Sequence, residues 1–320
     1  MTQPMGRNGA VITALTALAM CCVVFYTGFH EYPTADMGIC LPSPNMWNLS
    51  PMVSWIIFML ILTGTTVALS LVNKSFSIVP GSGSMLSGMF MLTSASIPWI
   101  SGSLTSSSIM APALLACLAI LFNNYRSRNA AQGVFLMATI LSLGSTIQYG
   151  FLFMTVPLLV IAGIFKCLHW REAFAFLMGL CAPYWIGVGL GLIPLDAFVI
   201  PNLSNIWQKV LSPEMMLTGL LNIAFTAVVT LVLGLNNALR LFAGNVRRQM
   251  FNTAVGIVEL SAALMMVLDY NNFTAYIATF YMAAAFQFAN FFALWKIRRP
   301  WIPILILCAV YLAFFITAIL

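Results

Sequence analysis

Only seven of the 320 residues are Asp or Glu, so a carboxyl set among apolar neighbours is the first place to look for chemistry. Glu259 is such a group, in the run NTAVGIVELSAALMMVLDY with no basic residue beside it. Two readings are open for it. One is a proton or cation site, or a contact to a polar group of a substrate; the other is an uncharged carboxyl hydrogen-bonded to a neighbouring helix. Gln287 and Asn290 are three residues apart, which puts both on one face of a helix. That face is expected to meet Glu259 in the preceding segment, as a binding surface or as polar glue between helices. Asn222 is read as glue of the same kind. A second acidic group lies in HEYPTADMGICLPSPNMWNLSP, where Glu31 and Asp36 precede a loop with four prolines. Two carboxylates in such a loop have the chemistry of a general base and a ligand to a divalent ion; a solvated acidic loop is the plainer reading.

The elements that hold these residues follow from composition. Hydrophobic residues make up 62% of the chain, charged residues 6%, and the mean hydropathy is +0.99. A soluble domain carries about a quarter charged residues, so most of this surface faces lipid. The apolar runs are 9–28, 52–72, 83–100, 104–122, 131–146, 149–166, 173–193, 215–235, 252–268, 274–294 and 301–320. Each is read as a membrane-spanning helix, because backbone polar groups in lipid must be satisfied internally. If the loops alternate sides, Lys209 stands alone on one side. Arg7, Lys74, Arg126, Arg128, Lys166, Arg171, Arg240, Arg247, Arg248, Lys296, Arg298 and Arg299 share the other. That bias places the N-terminus in the cytoplasm, with the first run an uncleaved signal anchor.

Two stretches strain this pattern. The runs at 131–166 are short for two crossings and call for a tight turn between Gly144 and Gly150, shielded by neighbours. PGSGSMLSG and SGSLTSSS, within 80–108, are small and polar, which suits close helix packing. The segment PLDAFVIPNLSNIWQKVLSPE reads as interfacial, with Trp207 and Lys209 at headgroup level.

Several functions are disfavoured. Basic residues dispersed singly or in pairs between apolar runs do not make a nucleic-acid surface. Neither a disulfide framework nor a CxxC metal pair is present, and His30 and His169 are too few for a multi-histidine metal centre. Walker, GxGxxG, HExxH and GxSxG motifs are absent from the sequence.

Residues 121–185 carry Asn123, Asn124, Arg126 and Arg128 before the short hairpin, then HWREAF at 169–174 and the pair Pro183–Tyr184. This order resembles an uncharacterised family of multi-pass inner-membrane proteins of Bacteroidota and, more distantly, membrane glycosyltransferases and polysaccharide polymerases. The resemblance implies a Gram-negative inner membrane and a role in the cell envelope, and brings no active-site residue with it.

The expectation is an all-α polytopic membrane bundle of about eleven transmembrane helices, nine to twelve in range, forming one domain over 1–320 with no soluble domain. Three functions fit it. The first is envelope assembly, handling a lipid or a polyprenyl-phosphate-linked glycan, with Glu31 and Asp36 as catalytic groups; no cofactor is evident, though a divalent cation would suit them. The second is a proton-coupled permease of a polar solute, with Glu259, Gln287 and Asn290 binding it. The third is a non-catalytic subunit with protein partners in the membrane. Membrane lipids are partners in every case.

Overall fold

The computed structural model describes residues 3–27, 38–80, 83–127, 129–194, 196, 198, 213–241, 245–294 and 301–319. Glu31, Asp36, Trp207 and Lys209 lie outside them. The described chain is all-α: α1 (Gln3–Thr27), α2 (Pro51–Phe76), α3 (Ser84–Ala95), α4 (Pro98–Ser101), α5 (Ser106–Asn123), α6 (Ala131–Ile147), α7 (Gly150–Phe153), α8 (Thr155–Ile164), α9 (Trp170–Gly189), α10 (Pro213–Leu241), α11 (Val246–Leu268), α12 (Phe273–Leu294) and α13 (Trp301–Ile319). Eight of these helices are long and apolar enough to cross a membrane. Three shorter apolar helical stretches, Ser84–Ala95, Ala131–Ile147 and Gly150–Ile164, accompany them. The chain is a multi-pass helical membrane protein.

Local sequence sets the helix ends. Ser50 accepts a hydrogen bond from the Val53 N–H at the start of α2, where Pro51 occupies a position that needs no donor. Asn245 caps α11 through the Arg247 N–H. Pro98 opens α4, so the run expected at 83–100 is broken between Ala95 and Pro98. The hairpin expected at 131–166 turns at Gln148 and Tyr149, within the expected interval.

Burial is uneven in the way lipid exposure requires. Every residue of α12 from Phe273 to Asn290 is buried, so this helix is the axis of the bundle. By contrast α2, α9 and α10 leave large apolar side chains outside, among them Leu60, Val67, Leu177, Val228 and Leu231. In water such faces would be costly; in hydrocarbon they are the solvent-exposed surface. The small-residue segment packs as expected. Most of α3 and all of α4 are buried, and a Cβ on Gly88 would meet the Thr13 hydroxyl and come within 3.0 Å of the Ala10 carbonyl. The α6–α9 contact is equally close, since a Cβ on Gly179 would lie 2.5 Å from the Phe135 carbonyl oxygen.

Contacts between loops define two ends. At one, Phe76, Phe122 and Phe165 gather around Phe251, with ring centroids 4.4 Å apart for Phe122–Phe251. Arg247 lies over the Phe251 ring and Arg126 over that of Tyr125, and the Arg248 guanidinium donates to the Ser77 carbonyl. At the other end, the N–H groups of Ile39, Cys40 and Leu41 donate to the carbonyls of Ser145 and Thr146. The Leu104 N–H there donates to the Ser54 hydroxyl at 2.7 Å.

Candidate functional site

The polar side chains of α10 fall on one stripe. Asn222, Thr226, Thr230 and Asn237 are spaced by four, four and seven residues, which returns each to nearly the same helix face. All four are buried. Asn222 donates to Ser96 and accepts from the Tyr281 hydroxyl, both at 2.9 Å. Thr226 shares a 2.9 Å hydrogen bond with Tyr311. One turn on, Thr230 and the Gln287 side chain are hydrogen-bonded to the carboxyl of Glu259, which is 9% exposed. The Asn237 amide in turn donates to the Gln287 side-chain oxygen at 3.2 Å and to its backbone carbonyl at 2.9 Å.

The expected meeting of Glu259 with Gln287 is therefore present. Asn290 is one turn further along α12 and donates to Asn252 of α11 at 2.9 Å. Asn252 and Glu259 are seven residues apart on the same helix, so α11 presents one polar face to α12. Asn222 acts as the interhelical glue its position suggested. Among the described residues the only ion pair is His169–Glu172, at 3.6 Å, and Glu259 has no basic counterpart.

A second buried carboxyl was not singled out by sequence. Asp269 is 2% exposed at the end of α11. One of its oxygens accepts from the Tyr149 hydroxyl at 2.8 Å and the Asn272 amide at 3.0 Å, and the other accepts from the Tyr276 hydroxyl at 2.9 Å. Asn272 also contacts Tyr149 directly. Asp, Asn and Tyr at 269, 272 and 276 share the spacing of one helical face, which is the signal that could have exposed the cluster. It ties the α6–α7 turn to the α11–α12 turn.

At this same end lies a cleft of about 270 Å³. Asn45, Trp47 and Asn48 from the loop before α2, Ser103 and Thr105 before α5, Trp99 of α4 and Thr274 of α12 line it. Trp47 is fixed by its indole N–H, which donates to the Pro42 carbonyl at 3.0 Å. Trp99 is held edge-on to Phe273, 6.1 Å between centroids. Thr105 and Thr274 are 8% and 4% exposed, and neither hydroxyl has a hydrogen-bond partner. An unpaired buried hydroxyl costs about 1–3 kcal/mol, and both oxygens are sealed behind the cleft wall. Pro51 and Ser54 form the rim, where α2 begins and turns Met52, Val53 and Ile56 outward.

The opposite end has a cleft of another character, about 530 Å³, lined by Lys74, Ser77, Ser84 and Arg248. Nearby, Cys167 is buried, and burial pushes its thiol above the ordinary thiol range. All seven cysteines are free. No group of three or more His, Cys, Asp and Glu among the described residues is placed to hold a metal ion. Glu31 and Asp36 lie outside those residues, so their partners are not described.

The chain matches no family model, no curated protein and no solved structure. What stands of the sequence likeness is a multi-pass helical membrane protein, and its site is read from its own chemistry.

Proposed function

We propose that the chain is a multi-pass protein of a bacterial inner membrane that takes part in envelope assembly by handling a lipid-linked sugar or lipid. The observation that carries this reading is the polar cleft beside the apolar start of α2. Asn45, Asn48, Ser103 and Trp47 are among the residues that line the space, while Met52, Val53 and Ile56 lie exposed next to its rim. An amphiphile seated there keeps its headgroup in the cleft and its tails along α2 in lipid. The positive charges of the opposite end support a cytoplasmic side for that end and an outer side for the cleft. Glu31 and Asp36 belong by sequence to the loop that lines the cleft from Pro44 onward. They are proposed as acidic groups of the reaction, with a divalent cation where it needs one.

The test is a mass-spectrometric profile of lipid-linked glycans and envelope lipids in a deletion strain, with and without the wild-type gene. A glycolipid that accumulates or disappears, and is restored by the wild type, is the expected result. An unchanged profile removes the envelope reading.

One observation favours a second reading, a proton-coupled permease: Glu259, Thr230, Gln287 and Asn237 form one hydrogen-bonded group inside the bundle. Under this reading Glu259→Gln abolishes function while Glu31→Gln and Asp36→Asn do not; under the envelope reading the sensitivity is reversed.

A further inference from the structure

We infer that the recess lined by Lys74 and Arg248 seats the phosphate of an anionic phospholipid whose acyl chains lie along the outer face of α2. The site is at the end opposite the polar cleft and is independent of what that cleft holds. The recess, about 530 Å³, is bounded by the last turns of α2, the turn that follows, the start of α3 and the first turn of α11. Its wall is fixed by the protein itself. The Asn73 side chain accepts from the Val79 N–H at 2.7 Å, and Ser77 ends α2 in the left-handed region at φ 52°. The Ser77 carbonyl takes the Nε–H of Arg248 at 2.9 Å, which sets the plane of the guanidinium and leaves its two terminal nitrogens for another acceptor.

Charge identifies the headgroup. Lys74 and Arg248 line the recess together, and no described acidic residue lines it with them. Both are accessible, Lys74 exposed and Arg248 partly so, and neither is in an ion pair among the described residues. Two other arginines of this end are engaged elsewhere, Arg247 over the Phe251 ring and Arg126 over that of Tyr125. Two cations at one recess repel each other, and a phosphate between them relieves the repulsion while accepting from both. α3 opens at the same wall, where its N-cap is a glycine with no side chain to cap the first turn, so the helix N-terminus adds positive potential. The ammonium of a zwitterionic headgroup would meet two cations here and no described carboxylate.

The face of α2 that runs away from the recess makes the ligand a lipid and not a free phosphate. Leu60, Gly64, Val67, Leu71 and Lys74 are spaced by four, three, four and three residues, so they share one side of the helix. Leu60, Val67 and Leu71 are more than half exposed, and nothing lies within 4 Å of a Cβ on Gly64, which leaves a shallow groove between them. Leu71 to Leu60 is about 16 Å along the axis, the depth of one leaflet of a hydrocarbon core about 30 Å thick.

The experiment is native mass spectrometry of the purified full chain in a neutral detergent. Phosphatidylglycerol, phosphatidylethanolamine with the same acyl chains, and inorganic phosphate are offered in turn at equal concentration. The wild type is expected to retain phosphatidylglycerol about twentyfold over phosphatidylethanolamine, at about fivefold for each cation, and to hold no inorganic phosphate. Lys74→Gln with Arg248→Gln is expected to abolish that preference. Lys74→Gln alone keeps the bond from Arg248 to Ser77, serves if the pair does not fold, and is expected to lower the preference about fivefold. Arg171→Gln with Arg240→Gln removes two exposed charges that do not line the recess and is expected to leave the preference intact. A wild type without the preference overturns the site, and so does a preference that the Arg171 and Arg240 pair lowers as much as the Lys74 and Arg248 pair. Inorganic phosphate held as well as phosphatidylglycerol overturns the lipid.

Discussion

The carboxyl of Glu259 is held by its neighbours as much as by its helix. Gln287 is the hinge of the group, because it bonds Glu259 with one half of its amide region and takes a hydrogen from Asn237 with the other. Gln287→Leu keeps the volume roughly constant and leaves both partners without it, so it should cost about 1–3 kcal/mol. Glu259→Gln keeps a hydrogen-bonding group at the site and should cost less than half as much. Thermal unfolding of the two variants in the same detergent checks the order; equal losses would mean that Gln287 is only a space-filler. The pairing was legible because Glu259, Gln287 and Asn290 are rare polar residues in apolar segments, and each needs a partner. The α10 half was not. Thr230 and Asn237 are unremarkable in a sequence read one segment at a time, and only the rotational setting of α10 turns the first toward Glu259 and the second toward Gln287. The same holds for the cleft, since Thr105 and Thr274 stand in segments far apart in sequence and nothing in either segment marks them as neighbours.

At the scale of elements, small residues decide how closely the helices approach. Gly88 leaves no room between α3 and α1, whereas nothing lies within 4 Å of a Cβ at Gly64 on α2. Gly88→Ala must therefore push the two helices apart, at a cost of about 1–3 kcal/mol. Gly64→Ala should be neutral or stabilising by up to about 1 kcal/mol, since alanine is the better helix former. Comparative melting of the two purified variants measures this, and a stable Gly88→Ala protein would contradict the α1–α3 crossing. Element positions were largely readable, because runs of apolar residues have few alternatives in a bilayer. Exact ends were not. α10 extends to Leu241 and α11 starts at Val246, both beyond the expected runs; in α10, Asn237 is satisfied by Gln287 of α12 and Asn236 by Arg240 one turn on in the same helix. Faces were unreadable too, since uniformly apolar segments carry no stripe to distinguish core from lipid.

Across the whole molecule, one axis organises charge and polarity. Lys74, Arg126, Arg247 and Arg248 lie at the end built on the Phe251 aromatic group, and the polar cleft lies at the other. α12 runs buried between them, and its flank carries Tyr276, Tyr281, Gln287 and Asn290 from the Asp269 cluster to the Asn252 pair. The envelope reading requires the cleft to face outward. The most direct measurement is labelling of Ser103→Cys, in a background lacking the seven native cysteines, with a membrane-impermeant maleimide on intact spheroplasts. Labelling in intact spheroplasts is the result expected from the charge distribution and from an outward-facing headgroup site. Labelling only after the membrane is opened would put the cleft on the cytoplasmic side and contradict the account.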